Sequence, residues 1–348
     1  MTGSLHPREN SKFVGHAHAE EELLTAWASG RLHHGWLING PKGIGKATLA
    51  YRFARFLLMH EPPSSIKNGP TLFGMEQQGT ANPDTLETDP THPVYRRVAA
   101  NGHADLKVIE RGLSEDGKRM QTIIPVDRIR AIGHSMSLTA GEGGWRVTII
   151  DGAEDMNPNA ANALLKILEE PPPRALLLLV SHSPGKLLPT IRSRCRQLKL
   201  STLPPTIVDE FVSEVRSGLS NEDRKILMRL SDGSIGRALQ LTDSDGIALQ
   251  QDLIELMNSM PTMDMVAAHS FADKVTQREA DVIWRTAVEL FTRNIAELIT
   301  AGATGRNLKE RGYRTEEASC LAHLYTLGRP ERWLDGWEKL ENLFSKSD

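Results

Sequence analysis

The chain has 348 residues, of which 39% are hydrophobic and 24% charged, and its formal net charge is −3. This is enough for two or three domains with cores of their own, and it excludes a broad basic field that would draw the whole molecule onto nucleic acid. Two cysteines, Cys195 and Cys320, exclude a disulfide framework and suit a reducing cytoplasm; no apolar run reaches the ~18–20 residues of a membrane span.

The first dozen residues are polar, are expected to fray, and lack the apolar stretch of a secretory signal. Residues 18–28 read as a helix with Leu23, Leu24 and Trp27 on one face. Gly35 to Asn39 is a short strand that runs into Gly40-Pro41-Lys42-Gly43-Ile44-Gly45-Lys46-Ala47-Thr48, and a helix follows with Leu49, Phe53, Phe56 and Leu57 inward. Strand, GxxxxGK, helix is the context of a Walker A phosphate loop, in which glycines let backbone N–H groups curl round phosphate and a lysine reaches the outer phosphates. One part is missing. The residue after the lysine normally carries a hydroxyl for Mg²⁺, and here it is Ala47; Thr48 sits about 100° further round the helix. Gly40, Gly43, Gly45, Lys46 and Thr48 are therefore expected to form a degenerate nucleotide site that holds ATP or ADP weakly, if at all.

Residues 61–104 form an insertion rich in Pro, Gly, Asn and Thr, with a short helix expected around Val94 to Ala100. It contains no cysteine, and the spacing of His60, His92 and His103 matches no structural zinc pattern, so no zinc or other metal is expected. Leu106 to Glu110 reads as the next strand, 111–121 as a charged excursion, and Val126, Ile129, Ile132 and Met136 mark a helix. A turn at Gly141 to Gly144 leads to the strand Val147 to Ile150, which ends on Asp151. Asp151 stands where a metal-coordinating aspartate would stand, but Gly152 follows it in place of a water-activating glutamate, and Glu154 is expected to fall short.

Asn157 is an N-cap, Pro158 suits the first helical position, and Ala161, Leu164, Leu165 and Leu168 fall on one helical face. Pro171-Pro172-Pro173 stops that helix, and Ala175 to Val180 is an unbroken apolar run, a strand buried on both faces. A polar sensor is expected just after it, at Ser181, His182 or Ser183. Ile191-Arg192-Ser193-Arg194-Cys195 then precedes a last strand. Glu169 and Glu170 stand at a helix C-terminus, where the macrodipole disfavours anions.

The order aspartate, Asn162-Ala163-Leu164-Leu165-Lys166 running into Glu169-Glu170-Pro171-Pro172, apolar strand, Ser193-Arg194-Cys195 resembles the AAA+ subunits of sliding-clamp loaders, most closely over residues 10–240. The resemblance implies an α/β core with a parallel five-stranded sheet over 1–202, an all-α lid over 203–245 entered through Leu203-Pro204-Pro205, and an all-α collar over 246–348. Helices are expected at 206–217, 221–231 and 234–242. Apolar stripes stand at Ile283, Trp284, Ala287, Leu290, Phe291, Ile295 and Leu298, and at Trp333, Leu334, Trp337, Leu340, Leu343 and Phe344; residues 303–314 read as a loop.

In that family the arginine of the SRC motif, here Arg194, reaches ATP held by a neighbouring subunit. The resemblance also implies a second sensor in Gly233 to Leu239, but Gly236 stands where active members place arginine and Arg237 comes one residue late. With the hydroxyl, the glutamate and the second sensor all altered, the chain is expected to lack an ATPase of its own while keeping Arg194 for a neighbour. The implied partners are the gamma/tau motor subunits and the delta subunit in a hetero-pentamer and, through that complex, the beta clamp and primed DNA, with no membrane. Two alternatives stay open: an active motor-type ATPase, and an AAA+-derived adaptor without chemistry.

Overall fold

The computed structural model describes residues 6–60, 83–112, 121–137, 140–142, 144–276 and 281–344. Residues 113–120 of the expected excursion and 61–82 of the insertion lie outside them. The chain divides into two compact units, one over residues 5–202 and one built from 203–348.

The first unit is a parallel sheet between two layers of helices. Its strands are β1 (Gly35–Asn39), β2 (Leu106–Ile109), β3 (Arg146–Asp151), β4 (Ala175–Ser181) and β5 (Arg196–Lys199). They lie in the order β2-β3-β4-β1-β5, all parallel. Its helices are α1 (Ala17–Ala28), α2 (Lys46–Met59), α3 (Pro93–Ala99), α4 (Val126–Ser137), α5 (Pro158–Glu169) and α6 (Pro189–Arg194).

Alternate strand residues go to opposite faces. Trp36, Ile38, Ile149, Leu178 and Val180 pack under α1, α2 and α3, while Leu37, Ile150, Leu177 and Leu179 pack under α4, α5 and α6. Both faces are covered, which is why the β4 sequence is apolar without alternation. Asn157 caps α5 by accepting the Ala160 amide at 2.8 Å, and Pro158 follows as the first helical residue.

The second unit is all helical: α7 (Pro205–Val215), α8 (Asn221–Ser231), α9 (Ile235–Asp243), α10 (Gly246–Asn258), α11 (Met265–Val275), α12 (Asp281–Thr304), α13 (Thr315–Leu327) and α14 (Pro330–Phe344). Position 245 is no break in packing, because Leu249 and Leu253 of α10 and Leu290 of α12 share a core with Val208, Leu227 and Leu241. A second cluster joins Met257, Ile295, Leu298, Leu321 and Leu324, with Trp333 and Trp337 packed against it. Leu334, expected in the α14 stripe, instead faces outward at 47% exposure. The side chains of Leu340, Leu343 and Phe344 lie outside the described residues.

A polar network crosses this unit. Arg229 Nη2 donates to both Glu317 oxygens at 2.7 and 2.9 Å, its guanidinium lies over the Tyr313 ring, and Gln250 bonds to Glu317 and Asn294. Among the described residues, no helix is long and apolar enough to cross a membrane.

Candidate functional site

The candidate site forms where the C-terminal ends of β1, β3 and β4 meet. Strand register places Asn39 beside Ser181 and Asp151 beside Val180, so these ends share one edge of the sheet. Ligands of open parallel sheets bind at this edge, where the strand order switches direction.

The phosphate loop leaves β1 here. Gly43 and Gly45 take positive φ, 76° and 98°, and a side chain on Gly40 would collide with the carbonyl of Leu200. Only glycine satisfies both demands. Lys46 opens α2 and is 3% exposed. Its ammonium donates to the Gly40 carbonyl at 2.8 Å and to that of Pro41. Burial pulls its pKa down to about 8, against the opposing pull of Asp151 and Glu154. Ala47 offers no oxygen, and Thr48 is buried at 8% exposure within α2.

Asp151 ends β3. Burial raises its pKa to about 6 and Glu110 adds to the rise, while Lys46 works against it. Gly152, at φ 74°, then turns the chain into a short 3-10 turn, Ala153–Asp155. Glu154 is thereby swung to the end of β4, where one carboxylate oxygen accepts the amides of His182 at 2.7 Å and Ser183 at 3.1 Å. Burial alone would raise its pKa, but hydrogen bonds from the Glu154 and His182 backbone amides and from the Ser181 hydroxyl bring it below the usual value. Of the three sensor candidates, Ser181 is buried in the strand row and accepts the Ser183 amide through Oγ, whereas His182 is exposed.

Residues 6–16 form a strap over the loop and α2. The Phe13 ring lies against Gly45, and His16 bonds to the Ile44 carbonyl at 3.0 Å. Two arginines of α2 hold the strap: Arg52 donates to the Ser11 carbonyl, and fully buried Arg55 donates to those of Arg8 and Asn10. Residues 6–12, expected to fray, are held in this strap, of which sequence patterning gave no sign. The signal available was a pair of arginines, Arg52 and Arg55, inside the otherwise apolar run from Leu49 to Met59.

The loop glycines, the α2 N-terminus and Lys46 fit a nucleotide's phosphates. The donor set for a metal ion is incomplete: position 47 has no hydroxyl, Gly152 follows Asp151 where a glutamate would stand, and Glu154 is engaged by backbone amides. Among the described residues there is no group of three or more His, Cys, Asp or Glu arranged to hold a metal.

Arg194 sits apart from this loop, as the last residue of α6, with its side chain 37% exposed. Nη2 lies 2.8 Å from Glu169 Oε1 and Nη1 donates to the Thr190 carbonyl at 3.1 Å. An ion pair this exposed contributes only ~0–1 kcal/mol to stability. It also accounts for an acidic residue at the unfavourable end of α5. Arg237, the displaced second-sensor candidate, lies in the helical unit between Asp232 at 3.4 Å and Glu289 at 3.2 Å.

A family model for "DNA polymerase III, delta subunit" matches residues 15–204. The DNA polymerase III subunit delta' of Escherichia coli is 31% identical over 245 residues, 70% of this chain and 65% of that protein. That of Pseudomonas aeruginosa is 34% identical over 217 residues, covering 62% and 58%. The gamma subunit of Buchnera aphidicola is 26% identical over 259 residues, covering 73% and 62%. The chain thus spans 58–65% of the length of these relatives. The match runs unbroken from before the phosphate loop to beyond the SRC motif and takes in more than half the sequence, and the chain belongs to the DNA polymerase III delta subunit family.

Proposed function

We propose that the chain is the delta-prime subunit of a bacterial clamp loader, a stator that turns over no ATP itself and supplies Arg194 to the ATP site of an adjoining gamma/tau subunit. In a cytoplasmic pentamer with the delta subunit and the motors, it supports ATP-driven loading of the beta clamp onto primed DNA. It is a component of the DNA polymerase III holoenzyme, whose polymerase chemistry belongs to other subunits.

The observation that carries this reading is an asymmetry within one unit. At the chain's own loop, Lys46 donates to the loop carbonyls of Gly40 and Pro41, Ala47 lacks the hydroxyl, Gly152 replaces the glutamate, and Glu154 is tied to the β4 end. Arg194, by contrast, stands at the end of α6 with its side chain 37% exposed. An arginine finger contributes about 10³–10⁵ in rate in the NTPases where one has been removed. A subunit that keeps only this group still accelerates a neighbour. The glycine loop would retain ATP or ADP weakly through Gly40, Gly43, Gly45, Lys46, Thr48 and Asp151, as a structural ligand without turnover.

The competing reading, an active gamma/tau-type ATPase, is favoured by one feature, the unbroken glycine-lysine pattern of residues 40–46. ATP turnover of the isolated chain separates the two. Release of phosphate at background level, together with co-migration of the chain with gamma/tau and delta subunits, supports the stator; turnover well above background by the chain alone supports the motor.

A further inference from the structure

Glu169 has no role in the function proposed above, and its position is unfavourable for an acid. It is the last residue of α5, where the helix dipole presents its negative end. Arg194 is the last residue of α6. The two helices are fixed in the same core, through Ala161, Leu164 and Leu168 on one and Ile191 on the other. Two helix ends anchored in one core therefore bring a carboxylate and a guanidinium to 2.8 Å.

We infer that Glu169 is a positioning residue: it sets the orientation in which Arg194 meets the terminal phosphate of a nucleoside triphosphate held by the neighbouring subunit. This rests on the reading of Arg194 as a group that acts in trans. Arginine has a long side chain with many rotamers, and freezing it on docking opposes the contact. Here both terminal nitrogens are already engaged, Nη2 by Glu169 and Nη1 by the Thr190 carbonyl. Nε–H and the second hydrogen on each terminal nitrogen remain to donate to phosphate oxygens. The guanidinium thus arrives oriented, which counts most in the transition state, where small misplacement is expensive. Because the pair is exposed, its loss leaves the fold intact.

The test is steady-state ATP hydrolysis by the complete reconstituted clamp loader, with clamp and primed DNA, carrying variants of this chain. Glu169→Ala is expected to lower kcat about threefold to tenfold while the KM for ATP stays within about twofold. Glu169→Gln, whose amide oxygen still accepts from Arg194, and Glu169→Asp are expected to recover part of that loss. In an Arg194→Ala background, Glu169→Ala is expected to have no further effect, and the thermal midpoint of the isolated chain moves by less than about 2 °C. Wild-type turnover by Glu169→Ala, alongside a slow Arg194→Ala, overturns the inference and leaves the trans reading standing. Losses that multiply in the double variant also overturn it, since Glu169 would then act separately. An Arg194→Ala complex that hydrolyses ATP normally removes the trans reading, and this inference with it.

Discussion

Lys46 donates its ammonium to the backbone carbonyl of Gly40 at 2.8 Å, so the phosphate loop is closed by its own lysine. A nucleotide must displace that bond before Lys46 can reach a phosphate. What the lysine gains from phosphate is offset by what it gives up.

Weak binding with little metal dependence is the first expectation. Calorimetric titration of the isolated chain with ATP should give affinities with and without Mg²⁺ that differ by less than about threefold, under 1 kcal/mol. Ala47→Ser restores a hydroxyl at the metal position and is expected to widen that difference. Strong Mg²⁺ dependence in the unaltered chain would show that the metal donor set is complete after all.

Asp151 gives the second prediction, through pH. Its folded pKa, about 6, lies above its ordinary value of 3.8 because burial favours the protonated form. The folded state therefore holds a proton that the unfolded state releases between about pH 4 and pH 6. The resulting stability is fully present below the unfolded pKa and is lost as pH rises through about 6. Asp151→Asn removes this slope. Urea unfolding at pH 4.5 and pH 7.5 should show the variant gaining on the wild type at the higher pH by ~1–3 kcal/mol. An equal difference at both pH values would mean that Asp151 is ionised across the range.

Arg55 supplies a third. It is fully buried, stacks 4.4 Å from the centre of the Tyr95 ring, and bonds to two strap carbonyls. Arg55→Ala strands both carbonyls and leaves a cavity, so a loss of ~2–4 kcal/mol is expected. Arg55→Met fills most of the volume and should lose less. In both variants, hydrogen exchange of residues 8–14 is expected to accelerate before that of α2. Unchanged exchange would show that the strap is held by other contacts.

The helical unit carries the fourth. Arg229 and Glu317 are 6% and 7% exposed, and removing one partner leaves the other charged and buried. Glu317→Ala is expected to cost ~3–5 kcal/mol, whereas the double change Arg229→Met, Glu317→Met is expected to restore most of it. Chemical denaturation of the wild type and these two variants provides the comparison. A double variant no better than the single would show that the network cannot be replaced by apolar packing.

The centre of the sheet was readable from the residues because β1, β3 and β4 are short apolar runs beside a turn or cap, whereas edge strand β5 buries only Leu198. β1 was marked by the glycine loop that follows it, and α5 by Asn157 and Pro158. The face of α12 was readable from its spacing, since Leu290, Ile295 and Leu298 are buried. Side-chain pairings made by long-range geometry were not readable. Glu154 reaches His182 and Ser183 because Gly152 reverses the chain at positive φ, which a linear pattern does not encode. Arg237 finds Glu289 on α12, far away in sequence. The strap has no periodicity, and its anchors lie on a different element. Glu169 looked misplaced for the same reason, since its partner Arg194 is two elements further on.

The central claim is that this chain acts on a neighbour's nucleotide and not on its own. The most direct test compares two single substitutions in the complete reconstituted clamp loader, by ATP hydrolysis in the presence of clamp and primed DNA. Lys46→Ala in this chain should leave the rate within about twofold, and Arg194→Ala, with assembly intact, should slow it by at least about tenfold. The reverse pattern, a rate abolished by Lys46→Ala and untouched by Arg194→Ala, would contradict the account.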